Sequence, residues 1–366
     1  MRRERCFPCQ RWAAEVLVIV GFVTLMAFTG AQPGRVEAIR TVQEGRMLAQ
    51  ASSPQAKAQK VDLNLITTPA GTGTYTIAVG QGMLLNKKLS GYKVAVQPAS
   101  GALALPRLLA KGEAQLVTIA SPTMYWAYRG EEDFTSPLPS MRLLQSGNDM
   151  YFALLTRPDS GIHTIEGLRG KRVTYEIPSA RLITKLGTVH LQAYGLDARK
   201  DVIPLKAEFT TMALNNLIDK RTDAIMASLG GSKMAEAEAK IGIKILPFAE
   251  SKVSFLRQSL PVFHAAITPS GMPGVTPGVT VVATPGITAA NEDLSDETAY
   301  LVIKTLLENH KELFPVHQDF HGWTPERAVR DIGMPYHPGA IKYYKEKGLW
   351  SREMEQRQVQ LLKGGK

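Results

Sequence analysis

Leu63-Asn-Leu-Ile-Thr-Thr-Pro-Ala-Gly-Thr-Gly-Thr-Tyr-Thr-Ile-Ala-Val-Gly80 is the stretch that decides how the chain is read. Leu63 to Ile66 is a short apolar run of the kind that forms a buried strand. A Thr/Gly turn follows and opens a helix. Gly71 and Gly73 let backbone approach a ligand with no Cβ in the way. The first-turn N–H groups of a helix have no intrahelical partner and point outward, where they can hold an anion. Thr72, Gly73, Thr74 and Tyr75 are therefore the leading candidate ligand contacts, with Tyr75 as a wall. The competing reading of the same residues is a plain helix cap.

Working outward, the strand–helix alternation continues. Strands are expected at Val61–Thr67, Tyr92–Gln97 and Gln115–Ala120, with helices at Thr74–Leu89, Ala102–Ala110 and from Pro122. Met141–Leu155 is a long apolar extended stretch, suited to cross between two halves. The alternation then restarts: strands at Lys171–Tyr175, Asp201–Leu205, Asp223–Ala227 and Ile243–Pro247, helices at Ser179–Tyr194, Phe209–Asp219 and Lys233–Lys240. Pro269–Pro285 is dense in Pro and Gly and separates this half from C-terminal helices, with Val279–Ala283 as a return crossing. Alternation of this kind predicts an α/β fold with parallel sheets. Ligands in such sheets bind beyond the carboxyl ends of the strands. Two halves joined by crossings would set those ends face to face, with hinge closure as the consequence. The fold class expected is thus α/β and two-lobed, each lobe a β-sheet flanked by helices and the cleft between them. The partition reads 1–31 signal peptide, 32–60 linker, 61–150 plus 285–366 lobe I, and 151–284 lobe II.

The N-terminus carries Arg2, Arg3, Arg5 and Arg11 ahead of an apolar run from Val16 to Phe28, then Thr29-Gly30-Ala31 as a small-x-small cleavage candidate. That is the layout of a secretory signal, and the run is short for a membrane span. Cys6 and Cys9 are the only cysteines and both lie in this segment, which excludes a disulfide framework and thiol catalysis in the body. The net charge of +10 is scattered, with no stripe of bases interleaved with aromatics, so nucleic acid is not an expected partner. A positive surface suits steering of anions.

Further candidates sit at other strand ends. Ser100 and Gly101 precede the second helix, Ser121 opens the third, and Ser228 and Gly230 end a strand of the second half. Enzyme signatures fail. Gly71-x-Gly73 lacks its third glycine at Thr76, Gly170-Lys171 lacks the rest of a phosphate loop, and there is no Gly-x-Ser-x-Gly elbow. Glu131, Glu132 and Asp133 read as a solvated loop. His317 and His321 lack a third ligand, so neither metal nor cofactor is expected.

Four segments carry a family resemblance: Thr67 to Gly80; Gln97 to Gly101 with Leu108 to Ala114; Ile165 to Val173; and Met334-Pro-Tyr-His-Pro-Gly-Ala-Ile-Lys-Tyr-Tyr-Lys-Glu346. Over about residues 61–350 the chain resembles the TAXI-type solute receptors of TRAP transporters. The resemblance implies a non-enzymatic, periplasmic, monomeric receptor that binds a small organic anion (a dicarboxylate, keto acid or amino acid) between its lobes. It would deliver that solute to a sodium-coupled TRAP permease. The chain departs from the family at Ser100-Gly-Ala-Leu-Ala104, which lacks an asparagine, and at Ser179-Ala-Arg-Leu182, where small hydroxyl residues are usual. Ser179 and Arg181 become candidates there, Arg181 because a guanidinium fork suits a carboxylate. Tyr336 and His337 are expected to fix the fold or meet the permease. The alternatives are a receptor of an ATP-driven importer, an exported enzyme on the same scaffold, and an ectodomain held by an uncleaved N-terminus.

Overall fold

The computed structural model describes residues 60–272 and 274–364; the expected signal peptide, the linker up to residue 59 and both cysteines lie outside the described residues. β1 (Val61–Thr67) runs into α1 (Gly73–Lys88), as the opening stretch predicts. β2 (Tyr92–Pro98), α2 (Ala104–Ala110), β3 (Leu116–Ala120) and α3 (Ser121–Arg129) complete a first β/α group. After the long β4 (Met141–Thr156), a second group follows. It comprises β5 (Arg172–Glu176), α4 (Arg181–Ala193), β6 (Ile203–Lys206), α5 (Thr210–Ile218), β7 (Ala224–Ser228), α6 (Ser232–Ile241) and β8 (Lys244–Leu246). α7 (Val253–Ser259) and β9 (His264–Ile267) lead into β10 (Thr280–Asn291). Three helices close the chain: α8 (Asp296–Glu308), α9 (Pro338–Glu346) and α10 (Arg352–Gly364).

The strand order is β2-β1-β3-β10-β4-β7-β5-β6, with β8 beside β4 and β9 beside β10. β1 pairs in parallel with β2 and β3, and β5 in parallel with β6 and β7. Every residue of β3 is buried, as expected for a parallel strand covered on both faces. β4 and β10 pair antiparallel with each other and join the two groups. Residues Gly286–Ala290 of β10 lie against β3, whereas Thr280–Ala283 lie against β9. The later part of β4, Phe152–Thr156, lies against β7. Each of these two strands therefore belongs to both halves.

Pro285 sits inside β10, opposite Asp149, and the register shifts between Pro285 and Ile287. Proline has no N–H for a ladder, and a bulge is where a sheet tolerates it. Trp323 packs over this point. A Cβ on Gly147 would lie 2.1 Å from its indole and one on Gly286 3.2 Å away, while its Nε1–H donates to Asn148 Oδ1 at 2.7 Å. α7 and β9 were not foreseen; they are short, and β9 is a half-exposed strand with no periodic signal.

The Met334–Glu346 motif is a structural joint. Tyr336 is buried, its hydroxyl donates to the Arg330 carbonyl at 2.9 Å, and its backbone bonds both ends of the Gln358 amide. Leu143 of β4 is bonded on either side, by Pro335 O and His337 N–H. Gly339 lets α9 approach α8, since a Cβ there would stand 2.1 Å from Asp296 O. Of the two expected roles for Tyr336 and His337, their burial matches fixing the fold. Among the described residues no helix is long and apolar enough to cross a membrane.

On α4, His190 is sealed in the core. Its Nδ1 bonds the Leu186 carbonyl at 2.8 Å, its ring lies 4.5 Å from that of Phe248, and Nε2 has no partner. Burial pushes its pKa down to about 4, so the folded protein holds it neutral. The unfolded chain binds the proton first. Stability is therefore full above pH 6.5 and falls as pH drops toward 4, by about 3 kcal/mol. Thermal melts across that range should show the decline, and His190→Leu should flatten it; an unchanged slope in the variant would contradict this assignment.

Candidate functional site

The carboxyl ends of β1 and β3 in the first half and of β5, β6 and β7 in the second open on one cleft. Its empty space, counted out through the open mouth, is about 900 Å³. Helix starts from both halves line it: Thr72, Gly73 and Thr74 at α1, Ala120 and Thr123 at α3, Ala180, Leu182 and Ile183 at α4, and Phe209, Thr210 and Thr211 at α5. Residues 148–152 of the crossing strand β4 form the floor, with Asp319 from the C-terminal segment beside them.

The first turn of α1 is organised by hydroxyls. Thr72 is the N-cap: its Oγ1 accepts from Tyr75 N–H at 3.3 Å and donates to Pro69 O at 2.8 Å. Thr68 bonds the hydroxyls of both Thr72 and Thr74. Capping thus uses one first-turn donor. Among the described residues the N–H groups of Gly73 and Thr74 have no protein partner, although both residues are buried. A buried donor without a partner costs about 1–3 kcal/mol, so such groups await a ligand or water. The cap and ligand readings of this turn are therefore compatible. At α5 the N-cap Phe209 offers no side-chain cap, and among the described residues the N–H groups of the half-buried Thr210 and Thr211 likewise have no protein partner.

The two halves touch across the cleft. Ala102 N–H donates to Ser179 O at 2.9 Å, and a Cβ on Gly101 would stand 2.6 Å from that oxygen. A Cβ on Gly231 would lie 2.8 Å from Gly71 O. On the outer rim Arg181 Nε meets Asp133 at 3.1 Å and Lys185 meets Glu132 at 3.0 Å. Glu132 and Asp133, expected as a free solvated loop, instead bridge to α4.

Among the described residues the lining holds no lysine, arginine or histidine, and its carboxylates are Asp149 and Asp319. Asp149 is neutralised locally by Arg330 at 2.8 Å, Arg327 at 2.9 Å and His264 at 3.6 Å. Burial alone would raise its pKa; the contact with His264 and the hydrogen bond and charge of Arg330 outweigh that and hold it well below the carboxylate range. Burial pushes the Asp319 carboxyl up, and His317 pulls it partly back. Among the described residues no cluster of three or more metal-ligating side chains occurs.

Of the sequence candidates, the structure brings Thr72, Gly73, Thr74, Ser179 and Ser228 into this lining. Ser179 already spends its hydroxyl on Glu208 O. Tyr75 contributes its capped N–H, and its ring is not in the lining. Ser100 is exposed outside the cleft, and Gly101 serves contact between the halves. Ser121 is fully buried against β10, bonded to Thr284 Oγ1 at 2.8 Å. Gly230 turns toward Met272. Arg181 points away: the next residues on α4, Leu182 and Ile183, face the cleft, and the guanidinium lies in an outer groove with Asp133. Thr210 and Thr211 were missed although they follow the same strand–hydroxyl–helix rule. Asp149 and Asp319 were missed because no local pattern marks them.

Two variants separate closure from direct contact. Gly101→Ala should force the halves apart and weaken solute binding about tenfold without lowering the melting temperature of the free protein. Arg181→Ala should change affinity by no more than about fivefold, the scale of an exposed ion pair. Calorimetry reads both; a larger loss in Arg181→Ala than in Gly101→Ala would contradict the placement.

Comparison with solved structures identifies the architecture. A structure described as a periplasmic transporter superposes with a TM-score of 0.51 at 12% identity, covering 85% of this chain and 96% of that one. The periplasmic aliphatic sulphonate binding protein SsuA from Escherichia coli gives 0.45 at 12% identity, covering 81% and 97%. A substrate binding protein of an amino acid ABC transporter gives 0.42 at 15% identity, covering 71% and 96%. The first of these carries the likeness: the fold is that of the two-lobed periplasmic binding proteins, α/β in each lobe with the cleft between. A family model matches residues 65–348, and the chain belongs to the NMT1-like family.

Proposed function

We propose that the chain is an extracytoplasmic solute receptor that captures a small organic anion by lobe closure and passes it, unchanged, to a membrane permease. One observation supports this most: the buried, unpartnered N–H groups of Gly73 and Thr74 open into a cleft to which both halves contribute. Hydrogen-bond donors at a helix start hold an anion without a formal positive charge nearby. The hydroxyls beside them bond one another and Pro69 rather than a general base, which favours binding over turnover. We assign 61–150 with 285–366 to lobe I and 151–284 to lobe II, the crossings being β4 and β10. The resemblance to TAXI receptors in Met334–Glu346 and three other segments favours a sodium-coupled TRAP permease as the partner. It also favours export to the periplasm by an N-terminal signal peptide, and a monomer.

Thermal-shift and calorimetric screening of the protein purified from periplasmic extract tests the reading. At a hundredfold excess over Kd the right solute adds about 2.7 kcal/mol, a rise of about 4 °C in Tm, at one per chain and with no product formed. No response to any organic acid, or consumption of the solute, would overturn it. Uptake by reconstituted vesicles separates the permeases: a requirement for ATP rather than a sodium gradient would assign the receptor to an ATP-driven importer.

A further inference from the structure

Resting on the receptor reading, the lining of the cleft narrows the solute class. Asp319 lies in the lining with its side chain only 9% exposed. Its one ionic neighbour is His317, whose Nδ1 stands 3.5 Å from Oδ2. That nitrogen accepts the backbone N–H of Asp319 at 3.3 Å, so in the neutral ring it has no proton to give the carboxylate. Among the described residues no other donor reaches either carboxylate oxygen. A carboxyl buried this deeply and aimed into a cavity needs a positive partner to stay ionised. Asp149 differs, because two arginines and a histidine already surround it.

Asp319 also stands beside the start of α1: its Oδ2 is 3.9 Å from where a Cβ on Gly73 would be. A solute carboxylate on the Gly73 and Thr74 N–H groups would therefore sit next to a second negative charge. Like charges that close in a site shielded from water are unfavourable. An ammonium on the carbon adjacent to that carboxylate removes the conflict, since it meets Asp319 while the carboxylate meets the helix. Ile119, Phe152, Leu182, Ile183, Phe209 and Met272 supply an apolar part of the lining beside its hydroxyls, and among the described residues the lining offers no lysine or arginine to a second carboxylate.

We propose that the cleft selects an α-amino acid with an apolar side chain, and that Asp319 is the specificity-determining residue that reads its ammonium group. Dicarboxylates and keto acids are the excluded classes.

The test is calorimetry on matched pairs: L-leucine with 4-methyl-2-oxopentanoate, L-phenylalanine with phenylpyruvate, and succinate with 2-oxoglutarate as dicarboxylates. An amino acid should bind at least about 30-fold more tightly than its keto acid, the scale of losing one partner of a buried charge pair. Asp319→Asn should erase that ratio by weakening the amino acid while leaving the keto acid unchanged or tighter. Should that variant not fold, the wild-type ratio alone decides. Tighter binding of a keto acid or dicarboxylate, or an intact ratio in Asp319→Asn, would overturn the inference and leave the receptor reading standing. Failure of all six compounds to bind would overturn the inference, and only the broader organic-acid screen would then decide the receptor reading.

Discussion

The structure depends on the antiparallel pairing of β4 with β10. Each strand is long enough to join both parallel groups into one ten-stranded sheet, with β3 and β7 as outer neighbours. Because this pair joins two parallel groups, the carboxyl ends of both groups open on one space. The bulge at Pro285, and the two glycines on which Trp323 packs, mark where the pair is least regular. A bulge bends the strand that carries it, so the lobe closure proposed above would draw on this irregular stretch of the pair.

What gathers at the cleft is backbone rather than charge. Helix starts from both halves present N–H groups that the fold leaves unpaired, and the lysines and arginines of a basic protein stay outside the lining. Arg327 and Arg330 come nearest, and both are committed to Asp149. Arg181 is committed to Asp133 at the rim, where it ties the loop after α3 to α4. The general positive charge can still favour the approach of an acid from a distance, while recognition at short range falls to dipoles, hydroxyls and Asp319.

The parts legible in the sequence were those encoded locally. The parallel strands have apolar centres, and β1 and β7 end at threonine and serine, so the strand–helix order and the turn at Thr72–Thr74 were readable from residues within one unit. Ser179 and Ser228 were readable for the same reason. Side-chain direction was not: one step along α4 separates Arg181 from Leu182, and that step turns the guanidinium fork outward. Ser121 looked like a strand-end ligand, but β10 arrives from far along the chain and covers it with Thr284. Asp149 and Asp319 acquire meaning only when the C-terminal segment packs against β4, a contact no local pattern records. The TAXI resemblance and the NMT1-like match span nearly the same residues, and neither names the solute.

The most direct measurement is a crystal structure of the protein with its solute bound. The account predicts a carboxylate within about 3 Å of the Gly73 and Thr74 N–H groups, with residues of both halves around the same molecule. A solute held by one half alone, or in the outer groove beside Arg181, would contradict it.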